Sequence, residues 1–232
     1  MDMKKIITCA ALLAGIVFFN GRLNAQVESD IVGYTTITME ADGWYILGNP
    51  FSPLDDSETF KINDVFAGEG FAANDVLYVL STDGAFTPHY WNTSKGGWST
   101  HKVLWRENTT PFATSTAVYL HKATAGKMIF AGKVSSTAVE VGTDVGNAWS
   151  LTSFVCPAEK TLSEYTWAGF ASGDMLYTMD SAGAFTPHYW NATKSGWSTH
   201  KVMWRENTAK LPIGQAVYMF KKSTGVGSVS QN

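Results

Sequence analysis

The stretch that decides the fold is GAFTPHYWNTSKGGWSTHKVLWRENT, residues 84–109, which recurs 99 residues later at 183–208 as GAFTPHYWNATKSGWSTHKVMWRENT. The two stretches are identical at 22 of 26 positions. Their flanks have diverged further, because AVYLHK at 117–122 and AVYMFK at 216–221 share only four of six residues. A self-match at a fixed period indicates that the chain contains two copies of one structural unit.

Around these stretches the sequence is typical of short β-strands. Residues 31–39, 44–47, 76–80 and 117–120 are rich in β-branched, aromatic and other apolar residues, with turn-forming Gly, Asn, Asp and Pro between them. This pattern predicts an all-β fold, either a sandwich or a barrel-like body. The one predicted helical segment is a short turn near 57–66, with Ser57 as its cap.

The order of elements predicts two repeats after an export signal. We place the signal peptide at 1–25, repeat 1 at 26–138 and repeat 2 at 139–232. Repeat 2 lacks an obvious closing strand, because only a Ser/Gly/Val tail follows Tyr218–Phe220. No Pro- or Ser-rich linker separates the repeats, so we expect them to pack as one compact unit about a pseudo-twofold axis.

The first 25 residues resemble a secretory signal. Lys4 and Lys5 precede the apolar run 6–19, and Ala25 ends a plausible cleavage site. The run is shorter than the roughly 20 residues that cross a bilayer as a helix. We therefore predict a secreted protein, extracellular or at the cell surface with the periplasm as the alternative, and no membrane span after cleavage. The mature chain keeps one cysteine, Cys156, for which the sequence favours a buried free thiol over an intermolecular bridge.

Charge and motifs exclude several function classes. Without Lys4, Lys5, Arg22 and Asp2 the chain has 14 basic and 19 acidic side chains, a net charge of −5, which does not favour nucleic acid. The sequence contains no nucleophile elbow, zinc-protease helix, phosphate loop or dinucleotide fingerprint. We therefore expect a protein that is not an enzyme and needs no cofactor.

The duplicated hairpin, residues 86–103 and 185–202, contains paired histidines. Centring the turn on Lys95 places His89 opposite His101 and Trp91 opposite Ser99, and the same register places His188 opposite His200. Two opposed imidazoles are a candidate metal site, although each hairpin offers no third ligand. The competing interpretation is that these four histidines are sheet residues bonded to backbone or water.

Aromatic side chains dominate the hairpin and the segment that follows it. Their large flat surfaces suit sugar rings and protein partners alike, although tryptophan is also common in cores. In the register above Trp91 and Trp98 lie on opposite faces, so at least one indole is expected near solvent. Arg106 is expected to stack on Trp105 and pair with Glu107, which would fix the loop. The candidate ligand-binding residues are Tyr90, Trp91, Trp98, Trp105, Arg106, Tyr189, Trp190, Trp197, Trp204 and Arg205.

Five motifs in order resemble a tandem secreted β-module of planctomycete- and verrucomicrobium-type bacteria. They are VGY at 32–34, GWYILGNP at 43–50, DVLY at 75–78, GW at 97–98 and FAGKV at 130–134. In that module a Pro-Gly turn precedes the strand before the closing one. Repeat 2 matches with LPIGQAVY at 211–218, whereas repeat 1 departs with ATSTAVY at 113–119. The resemblance covers nearly all of the mature chain and implies an architecture, with no activity and no catalytic residues.

The sequence therefore favours a secreted, non-enzymatic adhesive or recognition module. Its duplicated aromatic hairpins would contact a glycan or an extracellular protein. One alternative is a structural, self-assembling cell-surface component in which the hairpins join subunits. A second alternative is a metal-dependent protein that uses the paired histidines.

Overall fold

We describe a computed structural model of the chain, over residues 32–55, 59–81, 83–134, 138–154 and 158–231. The predicted signal peptide and Cys156 lie outside these residues. The all-β prediction is confirmed, with a sandwich-like arrangement of antiparallel sheets. In the part of the chain that the structure describes, no helix is long and apolar enough to cross a membrane.

Seventeen strands are present among the described residues. In repeat 1 they are β1 Val32–Met39, β2 Gly43–Gly48, β3 Val76–Leu80, β4 Phe86–Asn92, β5 Gly97–Ser99, β6 Ala117–Lys122 and β7 Gly126–Lys133. In repeat 2 they are β8 Val139–Val141, β9 Ala148–Thr152, β10 Lys160–Thr161, β11 Tyr165–Ala168, β12 Met175–Met179, β13 Phe185–Asn191, β14 Gly196–Ser198, β15 Lys210–Leu211, β16 Val217–Lys221 and β17 Gly227–Gln231.

Each repeat contains one five-stranded antiparallel sheet. The strand order is β2-β6-β3-β4-β5 in repeat 1 and β9-β16-β12-β13-β14 in repeat 2, which is the same order with equivalent strands. Side chains alternate between the two faces of a strand, so one face of each sheet supplies the core. In β6, for example, Leu120 is fully buried while Tyr119 and His121 on the other face are only half-buried.

A second, smaller sheet covers the inner face of each five-stranded sheet. In repeat 1 it consists of β1 and β7, and in repeat 2 of β8 and β17 with β11 added at the edge of β17. The prediction that repeat 2 lacks a closing strand was wrong, because the Ser/Gly/Val tail forms β17 and pairs with Tyr165–Ala168. Val229 of this strand is buried in the core, which supplies the apolar contact that the tail's composition concealed.

The predicted helical turn is shorter than the segment 57–66. Helix α1 is a single turn, Ile62–Val65, and Ser57 lies outside the described residues. The Asp64 carboxylate accepts a hydrogen bond of 2.8 Å from the Lys61 backbone N–H, which closes the first turn. Ile62 and Val65 are buried against the core of repeat 1, so packing rather than length stabilises the turn.

The two repeats contact each other through equivalent strand ends. Leu47 at the end of β2 forms a bridge with Gln215, and Thr152 at the end of β9 forms the equivalent bridge with Thr116. A third apolar cluster lies between them, distinct from the cores of the two repeats. Its buried members are Ile46, Ala117, Leu151, Met179 and Ala216. Because each repeat contributes equivalent positions, the contact is that of a pseudo-twofold pair.

Candidate functional site

The duplicated hairpin is one residue out of the predicted register. Trp91 pairs with Trp98 and Tyr90 with Ser99, where the sequence had placed Trp91 opposite Ser99. The closing pair is Asn92 with Gly97, so the turn has an even number of residues and is not centred on Lys95. The second hairpin shows the same register. A slip of one residue moves every side chain to the other face of its strand.

The correct register buries the four hairpin tryptophans. The two indoles of each hairpin lie on the same inner face, with ring centroids 5.4 Å apart in repeat 1 and 5.2 Å apart in repeat 2. The exposed fractions are 9% for Trp91, 0% for Trp98, 7% for Trp190 and 2% for Trp197. The expectation that Trp91 and Trp98 lie on opposite faces was therefore wrong. These indoles pack in the core and cannot contact a partner.

The predicted cross-strand histidine pairs do not form. His89 and His188 are on β4 and β13, whereas His101 and His200 follow the ends of β5 and β14. Leu77, not His101, pairs with His89. Within the residues that the structure describes, no group of three or more His, Cys, Asp or Glu side chains could hold a metal ion. The histidine pairs fail because β5 and β14 end at Ser99 and Ser198, before His101 and His200 are reached.

His89 and His188 are instead buried structural residues. Nδ1 of His89 accepts a hydrogen bond of 2.9 Å from the Asn108 amide, and Nδ1 of His188 accepts one of 2.7 Å from Asn207. Burial lowers the pKa of His89, and it lowers the pKa of His188 to about 4. Both imidazoles are therefore neutral at pH 7, and each ties the segment after the hairpin to the sheet.

His101 and Ser99 build the loop that follows the first hairpin. Nδ1 of His101 accepts hydrogen bonds from the backbone N–H of Val103 and Leu104, at 3.1 and 3.0 Å. The Ser99 hydroxyl accepts from the N–H of Arg106 and lies within 3.1 Å of the Leu104 carbonyl oxygen. Ser198 and His200 make the same contacts in repeat 2. The two side chains therefore satisfy most of the loop's backbone groups internally.

This loop presents apolar side chains to solvent in both repeats. We call residues 102–106 and 201–205 the apolar loops, with the sequences KVLWR and KVMWR. Their exposed fractions are 81% for Val103, 58% for Leu104, 36% for Trp105, 83% for Val202, 53% for Met203 and 38% for Trp204. Such clustered exposure of apolar side chains is typical of contact surfaces. The Trp105 indole lies over Gly97, whose position leaves no room for a side chain without moving the ring.

The arginines of the apolar loops are free of the predicted loop-fixing contacts. In the described ranges no ion pair or cation–π contact involves Arg106 or Arg205, so the expected Arg106–Trp105–Glu107 arrangement was wrong. Both arginines are exposed, and each follows a tryptophan in the sequence. Tyr90 and Tyr189, the remaining candidates, are half-buried on the outer face of the hairpin. Of the sequence-predicted aromatic candidates, Trp105 and Trp204 are therefore the exposed indoles.

Sequence reasoning missed a row of stacked rings on the outer face of each five-stranded sheet. In repeat 2 Trp149 stacks on Tyr218 with centroids 4.5 Å apart, and in repeat 1 Trp44 stacks on Tyr119 at 4.7 Å. The full rows are Trp44, Tyr78, Phe86 and Tyr119 in repeat 1, and Trp149, Tyr177, Phe185 and Tyr218 in repeat 2. The sequence signal was the alternation in VLYVL and AVYLHK, which places Tyr78 and Tyr119 on the face opposite the buried leucines.

Two grooves lie where the repeats meet. One, of about 450 Å³, is lined by Trp44 and by Thr178–Ser181 of repeat 2. The other, of about 220 Å³, is lined by Trp149 and by Leu80 and Ser81 of repeat 1. They are pseudo-symmetric counterparts, because Trp44 and Trp149 occupy equivalent places on β2 and β9.

Each repeat also contains a fully buried ion pair that the sequence reasoning missed. Lys122 contacts Asp75, and Lys221 lies 3.5 Å from Asp174, with no exposed side-chain surface in either pair. Lys122 Nζ also donates to the Gly70 carbonyl oxygen at 2.7 Å. Burial alone would raise the pKa of Asp174, but hydrogen bonds to its carboxylate lower it. These pairs lie in the core and stabilise structure.

No protein family model, no curated protein and no solved structure matches this chain. The resemblance to a tandem secreted β-module stays a prediction.

Proposed function

We propose that this protein is a secreted, non-enzymatic recognition module that attaches to a partner protein through its two apolar loops. The observation that carries the proposal is the solvent exposure of the same Val-Leu/Met-Trp tip in both repeats. A soluble chain gains nothing in folding energy from leaving these side chains in water. Burying them against a partner would remove that apolar surface from solvent at about 25 cal/mol per Å².

The internal hydrogen bonds of each loop also support binding. Because His101 and Ser99 already satisfy the backbone groups of Val103, Leu104 and Arg106, covering the tip leaves few polar groups without partners. The loop is held in one conformation, so less conformational entropy is lost on association.

The chemistry of the tip favours a protein over a glycan. Sugar recognition combines an open aromatic face with hydrogen-bonding groups, whereas Val103 and Leu104 offer only aliphatic surface. Trp, Met and Arg are enriched at protein interfaces, and each tip carries Trp and Arg, with Met203 in the second. Two equal loops on one chain would also add avidity toward a partner with repeated sites.

The test compares retention of proteins from the surface of the producing cells on immobilised mature chain. We expect the double variant Leu104→Asp/Met203→Asp to retain at least about tenfold less than the wild type. Each single variant should show a smaller loss because one loop remains.

The matched control is Thr93→Asp/Ala192→Asp, which adds the same charges at exposed turn positions of the same hairpins. It should retain as much as the wild type. Equal retention by the Leu104→Asp/Met203→Asp variant, with an unchanged melting temperature, would contradict the proposal.

A second candidate function is self-assembly, which the small sheet of repeat 1 favours. Its outer face exposes Val32, Tyr34 and Ile129 at 61%, 80% and 62%. In the described part of the chain β1 is the one strand that pairs with β7. The equivalent strand of repeat 2, β17, pairs with β8 on one edge and with β11 on the other. Exposed edges of this kind can pair with another copy. Sedimentation of the mature chain decides this candidate, since a monomer at all concentrations removes it.

A further inference from the structure

The two repeats treat one equivalent tryptophan differently. In repeat 1 the turn of the other repeat lies against Trp44, because a Cβ added at Gly183 would be 3.3 Å from the indole Cδ1. The Trp44 backbone N–H also donates to the Ser181 carbonyl oxygen at 3.1 Å. In repeat 2 the equivalent glycine, Gly84, has no described atom within 4 Å of its Cβ position.

Within the described residues, the turn of repeat 1 therefore does not cover Trp149 as the Gly183 turn covers Trp44. One side of its indole stacks on Tyr218 at an interplanar angle of 18°, and Phe220 lies beside it with centroids 4.9 Å apart. The side chain is 36% exposed. A groove of about 220 Å³ lies beside Trp149 and is also lined by Leu80 and Ser81 of repeat 1.

Half of the residues that line the groove beside Trp149 carry a hydroxyl group. Its polar residues include Ser115, Thr116, Thr143, Ser150 and Glu140. Glu140 is exposed, and its carboxylate makes no hydrogen bond or ion pair with any residue in the described ranges. No Lys or Arg is among the described lining residues.

We infer that this groove binds a neutral saccharide, with a pyranose ring against the open face of Trp149. The C–H face of a sugar ring contacts an indole favourably, and its hydroxyl groups pair with serine and threonine hydroxyls and with a free carboxylate. An acidic sugar is disfavoured, because Glu140 would repel it and no described lining residue provides a cation. The site is independent of the apolar loops, which lie on other elements.

The test screens the mature chain on an array of neutral and acidic oligosaccharides, and measures each retained sugar by titration with tryptophan fluorescence. We expect a neutral oligosaccharide to bind. Trp149→Ala and Glu140→Gln should each weaken its affinity by about tenfold. Glu140→Gln removes only charge from an exposed side chain, so it tests the site even if Trp149→Ala is poorly folded.

The control variant is Leu104→Asp/Met203→Asp, which should bind the saccharide as the wild type does. Loss of sugar binding in this variant alone would place the saccharide at the apolar loops and overturn the inference. It is also wrong if no neutral saccharide on the array is retained, or if Trp149→Ala and Glu140→Gln bind with unchanged affinity. None of these outcomes depends on whether the apolar loops bind a protein.

Discussion

The side-chain amide of Asn207 donates a hydrogen bond of 2.7 Å to Nδ1 of His188, and both residues are at most 1% exposed. The other ring nitrogen, Nε2, lies 3.0 Å from the Thr178 hydroxyl. The Asn207 amide nitrogen can only donate, and its oxygen accepts from the Ala209 N–H, so Nδ1 of His188 carries no proton and the neutral ring carries its hydrogen on Nε2. A proton added to Nδ1 would face the Asn207 N–H and break the contact that holds the chain after the second hairpin.

Stability should therefore decline in mild acid. The unfolded chain takes up a proton at His188 below about pH 6.5, whereas burial holds the folded pKa at about 4. The stabilisation that the neutral, buried His188 provides is fully present above pH 6.5. As the pH falls toward 4, the free energy of unfolding decreases by up to about 3 kcal/mol. His89 acts in the same direction, since burial lowers its pKa too. Urea denaturation at pH 7 and pH 5 measures the effect.

The control for this prediction is His121→Phe, which copies the residue of the second repeat, Phe220. It should keep the wild-type dependence of unfolding free energy on pH. His188→Gln should reduce the pH dependence of the unfolding free energy between pH 7 and 5, and the part due to His89 should remain. A dependence that is the same in all three proteins would show that the buried imidazoles are not its source.

Periodicity in the sequence was enough for the all-β architecture, since strands such as VLYVL and AVYLHK alternate clearly. Periodicity did not predict which hairpin side chains face the core. The segment SKGG permits two strand registers, and only packing selects the one that pairs Trp91 with Trp98. The burial of Lys122 could have been predicted, because it continues the inner-face positions Val118 and Leu120. Its ion pair with Asp75 could not, because Asp75 lies 47 residues away in the chain.

The hairpin turns provide a second prediction. Gly96 and its counterpart Ser195 both adopt left-handed backbone conformations, with φ of 61° and 49°. A serine pays a steric cost there that glycine avoids. We expect Ser195→Gly to raise the free energy of unfolding by about 1 kcal/mol, and Gly96→Ser to lower it by a similar amount. Denaturation midpoints that do not move, or that move the other way, would contradict this.

Removal of a buried cation should be costly. Lys122→Met leaves the Asp75 carboxylate buried without its counter-ion, although the backbone N–H groups of Ala72 and Ala123 still donate to it. Breaking such a pair typically costs about 3–5 kcal/mol. Lys127→Met, at an exposed position on the neighbouring strand, should change the unfolding free energy by less than about 0.5 kcal/mol. If both variants unfold at the same denaturant concentration as the wild type, the buried pair contributes nothing.

The apolar loops should lose their order when their serine is removed. In Ser99→Ala the Arg106 N–H loses its acceptor, and the Leu104 carbonyl oxygen loses a nearby donor. We expect amide hydrogen exchange at Arg106 to accelerate by about tenfold or more, since one lost hydrogen bond is worth about 1 kcal/mol and several share this hydroxyl. Arg205 in the untouched second loop is the internal control and should exchange at the wild-type rate. Thr100→Ala, an exposed neighbour, should alter neither rate.

Because the serine fixes the tip without contributing to its apolar surface, Ser99→Ala/Ser198→Ala should also weaken retention of the partner protein while Val103, Leu104 and Trp105 are all still present. Full retention with accelerated exchange would mean that the tip binds equally well when flexible, and that its fixed conformation plays no part in recognition.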